Sequence, residues 1–216
     1  MQKSLFSIAM LLVFDVLAIA QTANENPEKN FFSFTAGPSF PIGEFASQNA
    51  NNIQAGLAKT GYVIELKYAH QFDELFAVTS SAAYARYEVN KSKINGGVTS
   101  IKPWEYYSLL IGPMITGNIS KKIVLDIGAL SGIAYINAPK VNVNNEVFSK
   151  RNNTNAIPLK FAVDFRFLFG KSGYLFSGVN YLYMRPNFNT TVQSTDISFK
   201  QQMNTIGLNA GLGFIF

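Results

Sequence analysis

The sequence predicts an all-β chain whose eight antiparallel strands run up and down and close into a transmembrane β-barrel. Three observations lead there. Apolar residues recur at every second position over most of the chain, the connections between the alternating segments are short and long in turn, and beyond residue 20 no apolar run approaches the roughly 18 residues of a membrane-crossing helix. A chain that crosses lipid without such a helix must satisfy its backbone hydrogen bonds between strands, and closing the sheet removes the unpaired edges.

Strands are expected near 31–40, 60–72, 75–89, 103–117, 122–136, 156–170, 173–185 and 201–216. The sixth is the clearest: Ile157, Leu159, Phe161, Val163, Phe165, Phe167 and Phe169 share one face, and Lys160, Ala162, Asp164, Arg166 and Gly170 the other. In the second, Tyr62, Ile64, Leu66 and Tyr68 oppose Gly61, Glu65, Lys67 and Gln71. In the fifth, Ile123, Leu125, Ile127, Ala129, Ile133 and Tyr135 oppose Asp126, Gly128, Gly132 and Ala134. The last sets Ile206, Leu208, Ala210, Leu212, Phe214 and Phe216 against Thr205, Gly207, Asn209, Gly211 and Gly213. In the third strand Ser and Ala occupy both faces, so the pattern assigns neither.

Asp73-Glu74, Gly117 to Lys121 and Lys171-Ser172 read as tight turns, whereas Pro41 to Lys59, Asn90 to Lys102, Asn137 to Asn155 and Pro186 to Lys200 read as long, Asn-rich loops. In a meander every second connection falls at the same end, which puts all the short ones at one end and all the long ones at the other. Outer-membrane barrels have this asymmetry, with short periplasmic turns and longer extracellular loops.

Alternation does not say which face is inside. A soluble barrel would bury the apolar face, and three features favour the inverse. The polar face is rich in glycine and small residues, as a narrow lumen requires. Its charges come in both signs, so that Glu65, Lys67, Asp126, Lys160, Asp164, Arg166 and Asn209 are candidates for a paired polar network in the lumen. Tyr62, Tyr68, Tyr106, Tyr107, Tyr135, Tyr174 and Tyr183 gather toward strand ends, where membrane interfaces favour amphipathic rings.

The N-terminus adds a location. Lys3, the apolar stretch Leu5 to Phe14 and the small-x-small pattern Ala18-Ile19-Ala20 read as a cleaved signal peptide, residues 1–20, with the mature chain starting at or near Gln21. Asp15 argues against a permanent helix, since a carboxylate at mid-bilayer costs about 2.5–3.5 kcal/mol on insertion scales. Residues 21–30 are then a short periplasmic segment and 31–216 the barrel. The absence of cysteine excludes disulfides, thiolate metal sites and a lipoprotein anchor. Losing residues 1–20 removes Lys3 and Asp15 together, so the formal net charge of +5 is unchanged.

The stretch Ala36-Gly37-Pro38-Ser39-Phe40-Pro41-Ile42-Gly43-Glu44-Phe45, with Gly56 to Tyr62, Leu110-Ile111-Gly112-Pro113 and the final Gly207 to Phe216, resembles the small OmpA-like and OmpX-like outer-membrane barrels of Gram-negative bacteria. The resemblance spans nearly the whole mature chain and implies an eight-stranded barrel in the outer membrane. It also implies that Phe216 and the strand before it form the signal read by the barrel-assembly machinery. Function is not implied, because barrels of this kind serve as envelope stabilisers, adhesins and lipid-modifying enzymes.

The sequence offers no reaction. His70, the only histidine, sits beside the Asp73-Glu74 turn on the apolar face, an interfacial position remote from the outer leaflet where a barrel acylase would work. Gly207, Gly211 and Gly213 lie in a strand with no helix after them and form no phosphate loop. No metal spacing, cofactor motif or nucleic-acid stripe is present. Lys91, Lys93, Lys102, Lys140, Lys150 and Arg151, in the second and third long loops, are candidates to meet the phosphates of lipopolysaccharide. The expected function is thus a non-enzymatic barrel whose long loops make envelope or surface contacts with outer-membrane lipid and a ligand the sequence does not name. The alternatives are a small transport or ligand-binding barrel and, third, a lipid-modifying enzyme.

Overall fold

A computed structural model describes residues 29–49, 52, 54–93, 98–143, 146–147, 153–170, 172–192 and 195–216. The expected signal peptide and residues 21–28 lie outside the described residues. Eight strands form the barrel: β1 Lys29–Ile42, β2 Gly61–Gln71, β3 Phe76–Tyr87, β4 Trp104–Ser120, β5 Ile123–Asn137, β6 Leu159–Phe169, β7 Gly173–Met184 and β8 Met203–Ile215. Each pairs antiparallel with its neighbours in sequence. The sheet closes where β1 pairs with β8, from Phe31 opposite Ile215 to Ile42 opposite Asn204. No described helix is long and apolar enough to cross a membrane.

Two expected boundaries move. β1 begins at Lys29, two residues inside the segment expected to precede the barrel. β4 runs on to Ser120, so the turn falls at Lys121 and Lys122 instead of Gly117 to Lys121. An irregularity between Asn118 and Ser120 absorbs the extra residue, and the Lys122 N–H is held by Ser120 Oγ at 3.3 Å. The β2–β3 turn is fixed by Asp73, whose Oδ1 accepts from the N–H groups of Leu75 and Phe76 at 2.7 Å each. Such local acceptance is why Asp favours turns.

The long connections carry β-structure of their own. Val98–Ile101, Val141–Val143 and Glu146–Val147 form a three-stranded sheet joining the second and third connections, and Asn187–Val192 pairs with Thr195–Lys200 as a hairpin in the fourth. Asn153–Ala156 prolongs β6 along β5 in unbroken register, and Pro158, which has no N–H, interrupts the ladder between them.

The faces are inverted relative to a soluble barrel. Phe34, Leu66, Ile111, Ile127, Phe161, Leu175 and Leu208 point outward and exposed, while Glu65, Lys67, Asp126, Lys160, Asp164 and Arg166 are buried inside. In β3, where the pattern gave no assignment, Ala77, Thr79, Ser81, Ala85 and Tyr87 face in. Tyr106 and Tyr174, expected in an interfacial girdle, are 4 % and 2 % exposed and belong to the interior. Tyr62 and Tyr107 are exposed on the outer wall.

The interior is layered, not polar throughout. At the long-connection end Phe45, Tyr87, Trp104, Tyr106, Leu130, Ile136, Leu182, Met184, Phe188 and Met203 pack into one apolar cluster. At the short-turn end Phe31, Ala69, Ala77, Met114, Tyr174 and Phe176 form a second. The charged residues lie between them. A lumen this narrow is filled by side chains, and where neither water nor a partner is available apolar atoms fill it most cheaply.

Candidate functional site

The central layer contains three ion pairs. Lys67 pairs with Asp164 and Lys160 with Glu65. Both join β2 to β6, which stand four strands apart either way around the eight and so face each other across the lumen. The third is local: Arg166 Nε and Nη2 donate to Asp126 Oδ2 and Oδ1 at 2.6 and 2.8 Å, and Nη2 also donates to Thr116 Oγ1 at 2.8 Å. Bidentate geometry of this kind is the strongest form of the pair. Asn209 Nδ2 donates to the second Glu65 oxygen at 3.2 Å. All seven lumen candidates are therefore inside the barrel, and the six charges balance three against three.

Aromatic rings complete the cations' surroundings. The Arg166 guanidinium lies 3.8 Å from the Phe31 ring centroid and the Lys67 ammonium 4.8 Å from that of Phe176. Two glycines make the space. A Cβ on Gly178 would stand 2.0 Å from Asp164 Oδ1, and one on Gly213 would stand 2.1 Å from the Tyr174 ring. Tyr174 fills that slot and donates its hydroxyl to the Phe32 carbonyl at 3.1 Å.

Above this layer the first long connection folds back over the mouth. Phe45, fully buried, meets Tyr87 and Trp104 edge-on at 5.2 and 5.7 Å. Trp104 Nε1 donates to the Gly56 carbonyl at 2.9 Å, and Gln201 Nε2 to the Gln54 carbonyl at 2.8 Å. This cap was not foreseen from the sequence. Its signal was the set of adjacent apolar pairs, such as Tyr106-Tyr107 and Tyr135-Ile136, in which both faces of a strand are apolar. Among the described residues, cavities of about 20 and about 10 Å3 lie inside, each room for little more than a water molecule.

Lys91 and Lys102 are exposed and Lys140 is half-buried. The Lys102 N–H donates to the Lys140 carbonyl at 2.9 Å, which sets those two side by side on adjoining connections. Lys93 falls in a short 3-10 turn, and Lys150 and Arg151 lie outside the described residues. Phe216 exchanges backbone hydrogen bonds with Asn30 at 2.9 and 3.0 Å and leaves its ring exposed. His70 lies at the short-turn end, with Nδ1 2.9 Å from Asn30 Oδ1 and its ring edge-on to Phe72 at 4.8 Å. Among the described residues no three potential metal ligands come together.

No family model matches the sequence, and no curated protein does. Solved structures do match in shape. A major outer membrane protein from Thermus thermophilus is 11 % identical with a TM-score of 0.56, covering 87 % of this chain and 99 % of that one. Neisserial surface protein A is 12 % identical with a TM-score of 0.52, covering 86 % of this chain and 96 % of that one. Ail, the attachment invasion locus protein of Yersinia pestis, is 16 % identical with a TM-score of 0.50, covering 88 % and 99 %. The fold is that of the eight-stranded outer-membrane β-barrels. At these identities the likeness fixes the architecture alone, and function has to be argued from the site.

Proposed function

We propose that the protein is a non-conducting, non-enzymatic barrel of the bacterial outer membrane that works through the surface formed by its long connections. The observation that carries this reading is the filled interior: an apolar cap, a charge-balanced ion-pair layer and an aromatic floor follow one another along the axis. Ions crossing it would have to displace paired charges from a desolvated site. The outer-membrane location is supported by the fold and by the apolar outer wall, since exposed Phe, Leu and Ile on every side suit lipid and not water.

Under this reading the long connections face out of the cell and their β-structure holds them up as a platform. The basic residues Lys91, Lys93, Lys102, Lys140, Lys150 and Arg151 serve contacts with lipopolysaccharide phosphates, and the last strand with Phe216 serves recognition by the barrel-assembly machinery. Residues 1–20 direct export and are removed. Two measurements test the proposal. Cell fractionation should place the processed chain with the outer membrane, and purified protein in planar bilayers should show no stable conductance. Protein found free in the periplasm, or steady channels from the intact chain, would overturn it.

A further inference from the structure

We infer that the smaller interior cavity is a binding site for one water molecule, which completes the hydrogen bonding of Lys160. The cavity lies between the ion-pair layer and the apolar cap, where Lys160, Ser108, Asn180 and Tyr106 meet the apolar side chains of Leu110 and Leu182. Lys160 is 5 % exposed, and its ammonium has three N–H donors, of which one is taken by Glu65. Ser108 is 6 % exposed and presents a hydroxyl in the lining of the same cavity. An ammonium buried with donors to spare is costly, and here it shares one cavity with the polar side chains of Ser108 and Asn180.

The size and chemistry select the ligand. About 10 Å3 admits one water-sized body, and a buried water is held by two to four polar partners, as Lys160, Ser108, Asn180 and Tyr106 supply. A halide would suit the donors, but Glu65 already neutralises Lys160, so a second anion would leave the layer with uncompensated negative charge. Water satisfies the donors and adds no charge. It also lets Lys160 remain an ammonium at the border of an apolar cluster, on which the cross-lumen pair depends.

The test compares two isosteric substitutions in the full chain, Ser108→Val and Ser108→Thr, by their urea midpoints of unfolding. Both add the same volume, and only threonine keeps the hydroxyl. With a water in the cavity, Ser108→Val falls below both the parent and Ser108→Thr. With a dry cavity, valine fills a void, its midpoint equals or exceeds that of threonine, and the proposal fails. A crystal structure provides the second arm: a single water peak within hydrogen-bond distance of Lys160 Nζ and Ser108 Oγ is expected. Anomalous density there after a bromide soak, or an empty cavity, would overturn the assignment.

Discussion

Replacing Lys67 with methionine removes the cation that faces Asp164 across the lumen. The Asp164 side chain is 7 % exposed, and the Gly178 backbone closes one side of it so tightly that even a methyl group does not fit. Its carboxylate is therefore largely shut off from bulk water. Removing one partner of a buried pair costs about 3–5 kcal/mol, because the remaining charge stays desolvated. At about 1.4 kcal/mol per decade, Lys67→Met should lower the folding equilibrium constant by roughly two to three and a half decades. Methionine keeps an unbranched stem against the Phe176 ring, so lost packing contributes little. The partner variant Lys67→Met/Asp164→Leu removes both charges and should recover most of the loss, since apolar replacement of a whole buried pair is often neutral or stabilising. Trp104 is the single tryptophan and is buried in the cap, so its fluorescence against urea reports unfolding of the closed barrel. A Lys67→Met variant within about 0.5 kcal/mol of the parent, the range of ordinary surface substitutions, would refute the reasoning, as would a double variant less stable than either single one.

Three further outcomes follow from the same geometry. Phe165→Arg places a cation on the lipid-facing wall and should cost about 2–4 kcal/mol near the bilayer midplane, seen as lost heat-modifiable migration on gels, whereas Ala162→Ser on the inner face leaves migration intact. Gly178→Ala should push a methyl into Asp164 and lower stability by about 1–3 kcal/mol, measured by the same Trp104 fluorescence. Trp104→Phe keeps a ring against Phe45 but loses the hydrogen bond to Gly56, which should cost about 1 kcal/mol and expose the first connection to protease without unfolding the barrel.

Much of the barrel was legible because period-two alternation reports two unlike solvents on the two faces of a strand. β6 shows it fully: every inward residue from Lys160 to Arg166 is polar or small and every outward one apolar. The same logic fails where both faces are apolar. Tyr106, Leu130, Ile136 and Leu182 face inward in strands whose outward residues are also apolar, so their alternation carries no contrast and the apolar cap could not be separated from the lipid-facing wall. Tyr174 was misplaced for a related reason: proximity to a strand end suggested the membrane interface, but its parity with Phe176 turns it into the lumen. The charged candidates could be assigned to one face but not to partners, because which charge meets which depends on barrel closure and not on spacing along a strand. The β-structure of the long connections gave no signal, since short segments such as Val98–Ile101 and Val141–Val143 pair with each other across about 40 residues of sequence.

The placement of Glu65 and Lys67 opposite Lys160 and Asp164 bears on when, and not only how strongly, these charges act. β2 brings a glutamate and a lysine, β6 a lysine and an aspartate, with half the circumference between them, so neither pair can form between strands that are neighbours in sequence. Their attraction cannot begin until the first and last strands have met. The two bonds across the lumen are thus a late reward, absent from an open sheet on its way into the membrane and present in full once the ring is shut. Interactions formed only after the transition state act on the reverse process more than on the speed of assembly, and for pairs that wait on closure the expected contribution is the persistence of the finished barrel.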